Sequence, residues 1–352
     1  MMGKLVLNGQ FFIQKTTGQQ RYAKEILMEL DKIINKNEIS VIVPQKAQVP
    51  KYDNLKVIRY GKKSNRLWEQ TSLAYYCFIH KCRALSFCNT TQLLRAGPCV
   101  IHDIILKEHP EYFTTLKGKV TRFYYNLNLQ RICKSYLPFI TVTNFSKNRI
   151  TSVCKVKPER ITVIGNAWQH FNRIPENKNY FFEHPEIKPF SYYFALGSRA
   201  AQKNFKWIYE NAKLYPENLY LIAGKKVSNF DDSCENLQNL KYLGFISDSD
   251  VKALMSNCKA FLFPSIIEGF GIPPLEALST GAKVIASNSS CIPEVLGNAV
   301  YYIDPDNPNV DLSEIIKKEI SSSEVTKTLN KYAWQYSAQK IYDFIKKYEE
   351  SV

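Results

Sequence analysis

Short apolar runs alternate with amphipathic stretches along this chain, and the same pattern is present in both halves of it. Short β-branched or aromatic runs bounded by turn residues are typical of buried parallel strands, with helices between them. The pattern predicts an α/β chain with two doubly wound, mostly parallel sheets, because each strand reaches the next through a helix. The carboxyl ends of two facing sheets would surround one cleft, where ligands of such sheets bind.

The positions of these elements predict the domains. Strands are predicted at 4–8, 39–43, 56–59, 84–87, 100–104, 139–143, 161–164, 192–196, 219–223, 240–245, 260–264, 283–286 and 299–303. Helices are predicted along 22–33, 66–80, 118–134, 145–153, 203–215, 249–257, 273–281, 312–320 and 324–348. Around 172–188 a polar stretch that contains prolines interrupts the pattern of strands and helices. We therefore expect a first domain at 1–171, a linker at 172–190, a second domain at 191–330, and a C-terminal helix, 331–352, that packs back towards the first domain.

The net charge of +15 is unevenly distributed. Residues 1–170 contain 27 Lys and Arg against 10 Asp and Glu, whereas residues 171–352 contain 20 against 22. A first half with this charge is attracted to a polyanion or to an anionic membrane face. The sequence shows no recognised nucleic-acid module, so we expect no nucleic-acid partner. A solvated basic face remains the simpler alternative.

Composition excludes several other classes of protein. Hydrophobic residues make up 45% of the chain and charged residues 22%, which is typical of a globular protein. No apolar run approaches the roughly 18 to 20 residues of a membrane helix, and the first residues do not resemble a secretory signal. The cluster Cys77, His80, Cys82 and Cys88 lacks the ligand spacing of a zinc site, so we expect buried thiols and no metal. These features favour a cytoplasmic protein.

The segment from Glu268 to Glu276, EGFGIPPLE, carries the clearest chemical signal. An apolar run, 260–266, delivers a glycine-bearing turn to a helix expected to begin near Pro273 or Pro274. The free amides and the dipole of a helix N-terminus favour a phosphate. The turn could therefore hold an anion with one carboxylate on each side, and the alternative is a turn with two surface glutamates.

In this context the chain resembles the retaining glycosyltransferases of family 4, whose GT-B fold has two facing Rossmann-like domains. The resemblance is carried by 263–276 and GFISD at 244–248. Further motifs agree in order: GQQRY at 18–22, HD at 102–103, TVTNFS at 141–146, VIGN at 163–166, the loop 197–204, and CIPE at 291–294. The form of the glutamate motif is similar to that of mannosyl- and rhamnosyl-type enzymes of surface polysaccharide assembly.

The resemblance implies a role for each matching residue of the second half. Glu276 would hold the ribose hydroxyls of the donor nucleotide, and Glu268 would lie beside the donor sugar as a catalytic residue. Lys203 matches the basic residue that binds the diphosphate. Gln202 stands where relatives often have arginine, and Arg199 could supply that charge. The other candidate donor-binding residues are Phe245 and the turn residues Gly269, Phe270, Gly271 and Ile272.

The resemblance also implies that the first domain, 1–171, binds the acceptor and that the second domain, 191–330, binds the nucleotide-sugar donor. Three further candidates lie in the first half. His102 and Asp103 follow a strand and are candidate catalytic residues, with His102 expected to contact the donor sugar or the reacting centre. Asp103 could instead be structural or face the acceptor. Gly18 lies in a loop that in relatives approaches the diphosphate and the acceptor.

The implied reaction is metal-independent hexosyl transfer, with retention, from a GDP-, UDP- or dTDP-linked sugar to a glycan hydroxyl, without a cofactor. The expected acceptor is linked to polyprenyl diphosphate, in the synthesis of a bacterial O-antigen or capsule. The enzyme would then be cytoplasmic and peripheral on the inner face of the cytoplasmic membrane, an anionic surface. The alternatives are a nucleotide-sugar epimerase of GT-B fold and a non-catalytic protein that binds polyanions or membranes.

Overall fold

A computed structural model describes residues 4–62, 67–198, 200–224 and 237–351 of the chain. The chain divides into two compact units. The first unit contains Met1–Asn166 and Trp334–Val352, and the second contains Ala167–Ala333. The stretch 172–190, expected to be a linker, lies within the second unit. Among the described helices, none is long and apolar enough to cross a membrane.

The strands of the first unit are all parallel. They are β1 (Leu5–Asn8), β2 (Ser40–Val43), β3 (Lys56–Arg59), β4 (Arg83–Leu85), β5 (Val100–Ile101), β6 (Phe139–Thr141) and β7 (Ile161–Val163). One sheet has the order β3-β2-β1-β4 and another has the order β5-β6-β7. A parallel bridge between Ser86 and Cys99 connects them. Each strand predicted in this half is confirmed.

The helices of the first unit cover these sheets. They are α1 (Gly18–Ile33), α2 (Ala74–Ile79), α3 (Ile105–Glu108), α4 (Leu116–Lys134) and α5 (Asn144–Cys154). A capping box at Thr17 and Gln20 starts α1, because the Thr17 amide donates to Gln20 Oε1 at 3.1 Å. A π-helical turn, Glu69–Leu73, leads directly into α2.

The second unit has one parallel sheet of six strands. They are β8 (Tyr192–Leu196), β9 (Leu219–Ala223), β10 (Leu240–Gly244), β11 (Ala260–Phe263), β12 (Val284–Ser287) and β13 (Tyr301–Ile303). The order is β10-β9-β8-β11-β12-β13. The chain therefore moves outwards on one side of β8 and then returns to continue on the other. The predicted strands of this half are confirmed.

Short helices surround this sheet. They are α6 (Tyr180–Glu183), α7 (Phe205–Leu214), α8 (Asp248–Ser256), α9 (Ile272–Ser279), α10 (Ile292–Leu296), α11 (Leu312–Ile315) and α12 (Ser322–Asn330). The buried core beneath α7 includes Trp207 and Ile208, which pack with Tyr193 and Tyr220 of the sheet. The α11 helix is shorter than the predicted 312–320.

The prediction of one final helix along 324–348 is wrong. The chain forms α12 and then a separate helix, α13 (Trp334–Glu350). The physical reason is that α12 belongs to the second unit and α13 to the first, where it packs against α1. There the Trp334 and Tyr22 rings lie 6.0 Å apart, and Ser337 Oγ donates to the Gly165 carbonyl at 2.8 Å.

Candidate active site

Three loops of the second unit meet beyond the carboxyl ends of β8, β11 and β12. The Ile266 amide donates to the Gln202 carbonyl at 2.8 Å, and Ser289 Oγ donates to the Ile266 carbonyl at 2.6 Å. The loop after β11 is thus held between its two neighbours. The strand order reverses between β8 and β11, and ligands of doubly wound sheets bind at such a switch point. These loops therefore form the candidate active site.

Lys203 and Glu268 are brought together at this switch point. Lys203 Nζ lies 2.6 Å from Glu268 Oε1, and the two side chains are 21% and 13% exposed. The ammonium also lies 5.4 Å from the centroid of the Phe263 ring. Ser290 Oγ accepts a hydrogen bond from the Glu268 amide at 3.2 Å, and this bond holds the backbone of Glu268 in place. A cation and an anion are therefore positioned side by side with partial access to solvent.

Glu276 has a partner that the sequence analysis missed. His170 Nε2 lies 2.7 Å from Glu276 Oε1, the geometry of a ring N–H donating to a carboxylate. Both residues are buried, and His170 belongs to a 3-10 turn, Gln169–Arg173. The two are 106 residues apart in sequence, and no motif marks His170. One Glu276 oxygen is thereby held in place by the histidine.

The turn between Glu268 and Glu276 has a left-handed backbone conformation that suits glycine. Gly271 has a φ of 88°, and an added Cβ would come within 3.3 Å of the Phe263 ring. The α9 helix begins at Ile272, one residue before the predicted Pro273. Because Pro273 and Pro274 have no N–H, Gly271 and Ile272 supply the amides without intrahelical acceptors at this helix start. The Phe270 side chain is buried, with its ring 5.1 Å from that of Tyr332.

Two other predicted donor-binding residues are Phe245 and Arg199. Phe245 follows β10 and is 88% exposed, so its ring is available to a ligand. Arg199 lies outside the described residues. Their predicted roles remain predictions.

His102 lies in the first unit, after β5, and is buried. Its Nε2 lies 2.8 Å from the Phe87 carbonyl, and its amide donates to Asn89 Oδ1 at 2.7 Å. Burial lowers the pKa of His102 to about 4, so the ring is neutral at physiological pH. Because a carbonyl only accepts, Nε2 carries the proton and Nδ1 is the ring nitrogen that can accept.

Asp103 and Gly18 lie at the starts of two helices in the first unit. Asp103 Oδ1 accepts from the Ile105 amide at 3.1 Å, at the first turn of α3. Gly18 is the first residue of α1. This placement is consistent with the structural alternative for Asp103, and a role towards a ligand remains a prediction for both residues.

Several curated proteins are similar to this chain in sequence. A model of the family described as "Glycosyl transferases group 1" matches residues 176–336. The O-antigen chain mannosyltransferase RfbU of Salmonella typhimurium is 30% identical over 226 residues, which cover 62% of this chain and 60% of that protein. O-antigen chain mannosyltransferase B of Escherichia coli is 25% identical over 262 residues, covering 69% and 68%. An N,N'-diacetylbacillosaminyl-diphospho-undecaprenol alpha-1,3-N-acetylgalactosaminyltransferase of Campylobacter jejuni is 25% identical over 237 residues, covering 63% and 61%.

Solved structures show the fold of the whole chain. Sucrose-phosphate synthase from Thermosynechococcus elongatus has a TM-score of 0.72 at 11% identity, covering 99% of this chain and 100% of that chain. Anabaena HepE, solved with UDP and glucose, has a TM-score of 0.64 at 16% identity, covering 97% and 99%. The predicted α/β fold of GT-B type is confirmed. Residues 176–336 are similar to the group 1 glycosyl transferases, and the chain has the GT-B fold.

Proposed function

We propose that this protein is a retaining, metal-independent glycosyltransferase that moves a hexosyl group from a nucleotide sugar to a glycan hydroxyl. The observation that carries the proposal is the Lys203–Glu268 pair, 2.6 Å apart at the switch point of the second unit. A nucleotide-sugar transferase needs a cation to stabilise the leaving diphosphate and an anion to stabilise the positive charge that develops on the sugar ring. Both charges are present on adjacent loops.

Each group of the site has a chemical task. The leaving group is a nucleoside diphosphate, whose developing charge the Lys203 ammonium and the amides of Gly271 and Ile272 can stabilise. The Glu268 carboxylate suits the positive charge that develops on the sugar ring. With one oxygen held by His170, the Glu276 carboxylate can accept hydrogen bonds from the ribose hydroxyls.

Retention and metal independence rest on different arguments. In other transferases a metal ion provides positive charge to the diphosphate. Lys203 can provide that charge here, so we propose that no metal is required. Retention is proposed on the resemblance to family 4. There the leaving phosphate is drawn as the group that helps to deprotonate the acceptor on the same face of the sugar.

The names of the relatives support a role in O-antigen synthesis. Two are O-antigen chain mannosyltransferases, and a third acts on a diphospho-undecaprenol-linked sugar. We therefore propose a mannosyl or related hexosyl donor and a polyprenyl-diphosphate-linked glycan acceptor. A carboxylate that holds two vicinal ribose hydroxyls favours GDP or UDP over dTDP, which lacks the 2′ hydroxyl.

A thermal-shift screen of GDP-, UDP- and dTDP-hexoses tests the donor proposal. We expect one nucleotide class to stabilise the protein, by about 2.7 kcal/mol at 100 times its dissociation constant. Stabilisation should persist in EDTA, since Lys203 provides the charge. The proposal is wrong if no nucleotide sugar in the panel stabilises the folded protein.

The surface of α4 supports a proposal of membrane association. Leu116, Val120, Phe123 and Leu127 follow helical spacing along one face and are 81%, 61%, 71% and 39% exposed. The buried residues Leu129 and Ile132 of the same helix pack in the core. The helix contains no acidic residue, and its basic residues are Lys117, Lys119, Arg122, Arg131 and Lys134. An exposed apolar stripe with only positive charge complements a bilayer containing anionic lipid, so we propose that α4 rests on the inner face of the cytoplasmic membrane.

Vesicle co-sedimentation tests this proposal. We expect the protein to bind vesicles with anionic lipid more strongly than neutral ones, and less strongly as salt rises. The double variant Val120→Glu and Phe123→Glu should bind at least about tenfold more weakly, a loss of about 1.4 kcal/mol. Phe182→Glu is the matched control, because Phe182 is an exposed phenylalanine of the second unit. Equal binding to both vesicle types, or an equal loss in the control, would contradict the proposal.

A further inference from the structure

Two half-buried thiols of the first unit contact each other where α4 and α5 end. Cys133 is the last residue but one of α4, and Cys154 is the last residue of α5. Their side chains form a hydrogen bond with each other, although β6 lies between the two helices in sequence. Two cysteines can be bridged only where their Cβ vectors bring the sulfurs together. The hydrogen bond shows that the fold already brings these two sulfurs together.

The backbone around Cys133 is held in place by Arg160. The guanidinium donates to the Cys133 carbonyl at 3.0 Å, to the Ile132 carbonyl at 3.1 Å and to the Leu137 carbonyl at 2.9 Å. The first two carbonyls belong to the last turn of α4, where no intrahelical amide is available to them. The contact between the two thiols therefore starts from a fixed helix end.

A lysine lies beside Cys154. Lys107 Nζ, on α3, lies 3.6 Å from Cys154 Sγ. The hydrogen bond from the Cys133 thiol lowers the pKa of Cys154, and the Lys107 ammonium lowers it further, while burial and Glu108 oppose the shift. The same hydrogen bond raises the pKa of Cys133, as does burial. Cys154 is therefore the nucleophilic sulfur of the pair, and Cys133 is the thiol that keeps its proton.

The surroundings of this pair differ from those of the other cysteines in the described part of the chain. Five of these are buried: Cys77, Cys82, Cys99, Cys258 and Cys291. Cys77 and Cys82 also form a hydrogen bond with each other, but they are only 0% and 3% exposed. Cys88 is half-buried, and burial raises the pKa of its thiol. Since oxidation follows thiolate character and exposure, Cys133 and Cys154 are the pair that an oxidant in solution should modify.

We propose that Cys133 and Cys154 are a redox modification site, at which hydrogen peroxide converts the two thiols into a disulfide. In the first step Cys154 sulfur attacks one oxygen of the peroxide, an S–O bond forms, and the O–O bond breaks. The hydroxide that leaves takes up a proton and becomes water. In the second step Cys133 sulfur attacks the Cys154 sulfenic acid, an S–S bond forms, and hydroxide leaves with the Cys133 proton as water. Two electrons pass from the sulfurs to the peroxide, which is reduced to two waters.

The disulfide would tie the end of α4 to the end of α5. It closes a loop that contains β6, and a cross-link of this kind restricts the unfolded chain. Oxidation should therefore raise the melting temperature, and a thiol reductant should reverse the change. The inference does not depend on the proposed function, because neither cysteine belongs to the loops of the second unit that form the candidate active site.

Peptide mapping by mass spectrometry tests the proposal. The wild-type protein is exposed to a low molar excess of hydrogen peroxide, its free thiols are blocked with N-ethylmaleimide in denaturant, and its peptides are analysed without reductant. We expect the peptides of Cys133 and Cys154 to be joined, with a mass two hydrogen atoms below their sum, and to separate on reduction. Cys88→Ser is the matched control, because Cys88 is another half-buried cysteine of the first unit. This variant should give the linked peptide as wild type does.

Single-cysteine variants separate the two chemical steps. In Cys133→Ser, Cys154 should stop at the sulfenic acid, which dimedone labels. In Cys154→Ser, Cys133 should stay reduced, because its thiol keeps its proton. Lys107→Gln should slow formation of the disulfide at least about twofold, because less of Cys154 is then ionised.

Two results would overturn the proposal. The first is a folded wild-type protein that gives no peptide linking Cys133 to Cys154. The second is dimedone labelling of Cys133 in Cys154→Ser that is as strong as the labelling of Cys154 in Cys133→Ser.

Discussion

Replacing Glu268 with alanine is expected to lower kcat at least about tenfold, with little loss of donor affinity. A tenfold change corresponds to about 1.4 kcal/mol of transition-state stabilisation. The carboxylate stabilises the positive charge that develops on the sugar ring only as the diphosphate leaves. Its removal therefore affects the transition state more than the bound donor. Its loss also frees the Lys203 ammonium, now 2.6 Å from Glu268, for the diphosphate. Donor KM should therefore stay constant or fall.

Initial rates at varied donor concentration measure this prediction. Glu324→Gln is a suitable control, because Glu324 belongs to α12 and pairs there with Lys327. The catalytic role of Glu268 is refuted if the alanine variant keeps the wild-type kcat, or if only donor KM rises.

Replacing Glu276 with alanine is expected to raise the donor dissociation constant at least about tenfold and to change kcat less. Hydrogen bonds to a charged group are worth about 1.5 to 3 kcal/mol, and the carboxylate is expected to accept them from the ribose. The substitution also leaves the buried His170 without this partner, so a small loss of thermal stability should accompany it. His170→Ala should weaken donor binding less, because the carboxylate remains.

A 2′-deoxy analogue of the donor isolates the ribose contact. Wild-type protein should bind the ribonucleotide more tightly than the analogue, and Glu276→Ala should bind the two alike. Calorimetric titration gives both affinities. If the variant discriminates between them as wild type does, Glu276 does not hold the ribose.

The strands and the glutamate loop could be predicted because their causes are local in sequence. Buried parallel strands are apolar over their whole length, as in Phe261 to Phe263, and a glycine turn follows. The strand order was not predictable from these runs. That order explains why Lys203, after β8, meets Glu268, after β11, although 65 residues separate them.

Other features depend on contacts between distant segments, which a single sequence does not reveal. His170 meets Glu276 only because a 3-10 turn of the second unit packs beside α9. The buried state of His102 follows from its contacts with Phe87 and Asn89. Glu69 lay within a stretch predicted as an ordinary helix, and its place in a π-helical turn became visible only in the structure.

Transfer of labelled hexose from nucleotide sugars to a polyprenyl-diphosphate-linked acceptor fraction tests the central claim most directly. With a panel of GDP-, UDP- and dTDP-hexoses, we predict that wild-type protein transfers label from one donor class, in EDTA as well as in its absence. The Glu268→Ala variant should transfer at least about tenfold more slowly. Transfer from no donor in the panel by the folded protein, or equal transfer by the variant, would contradict the account.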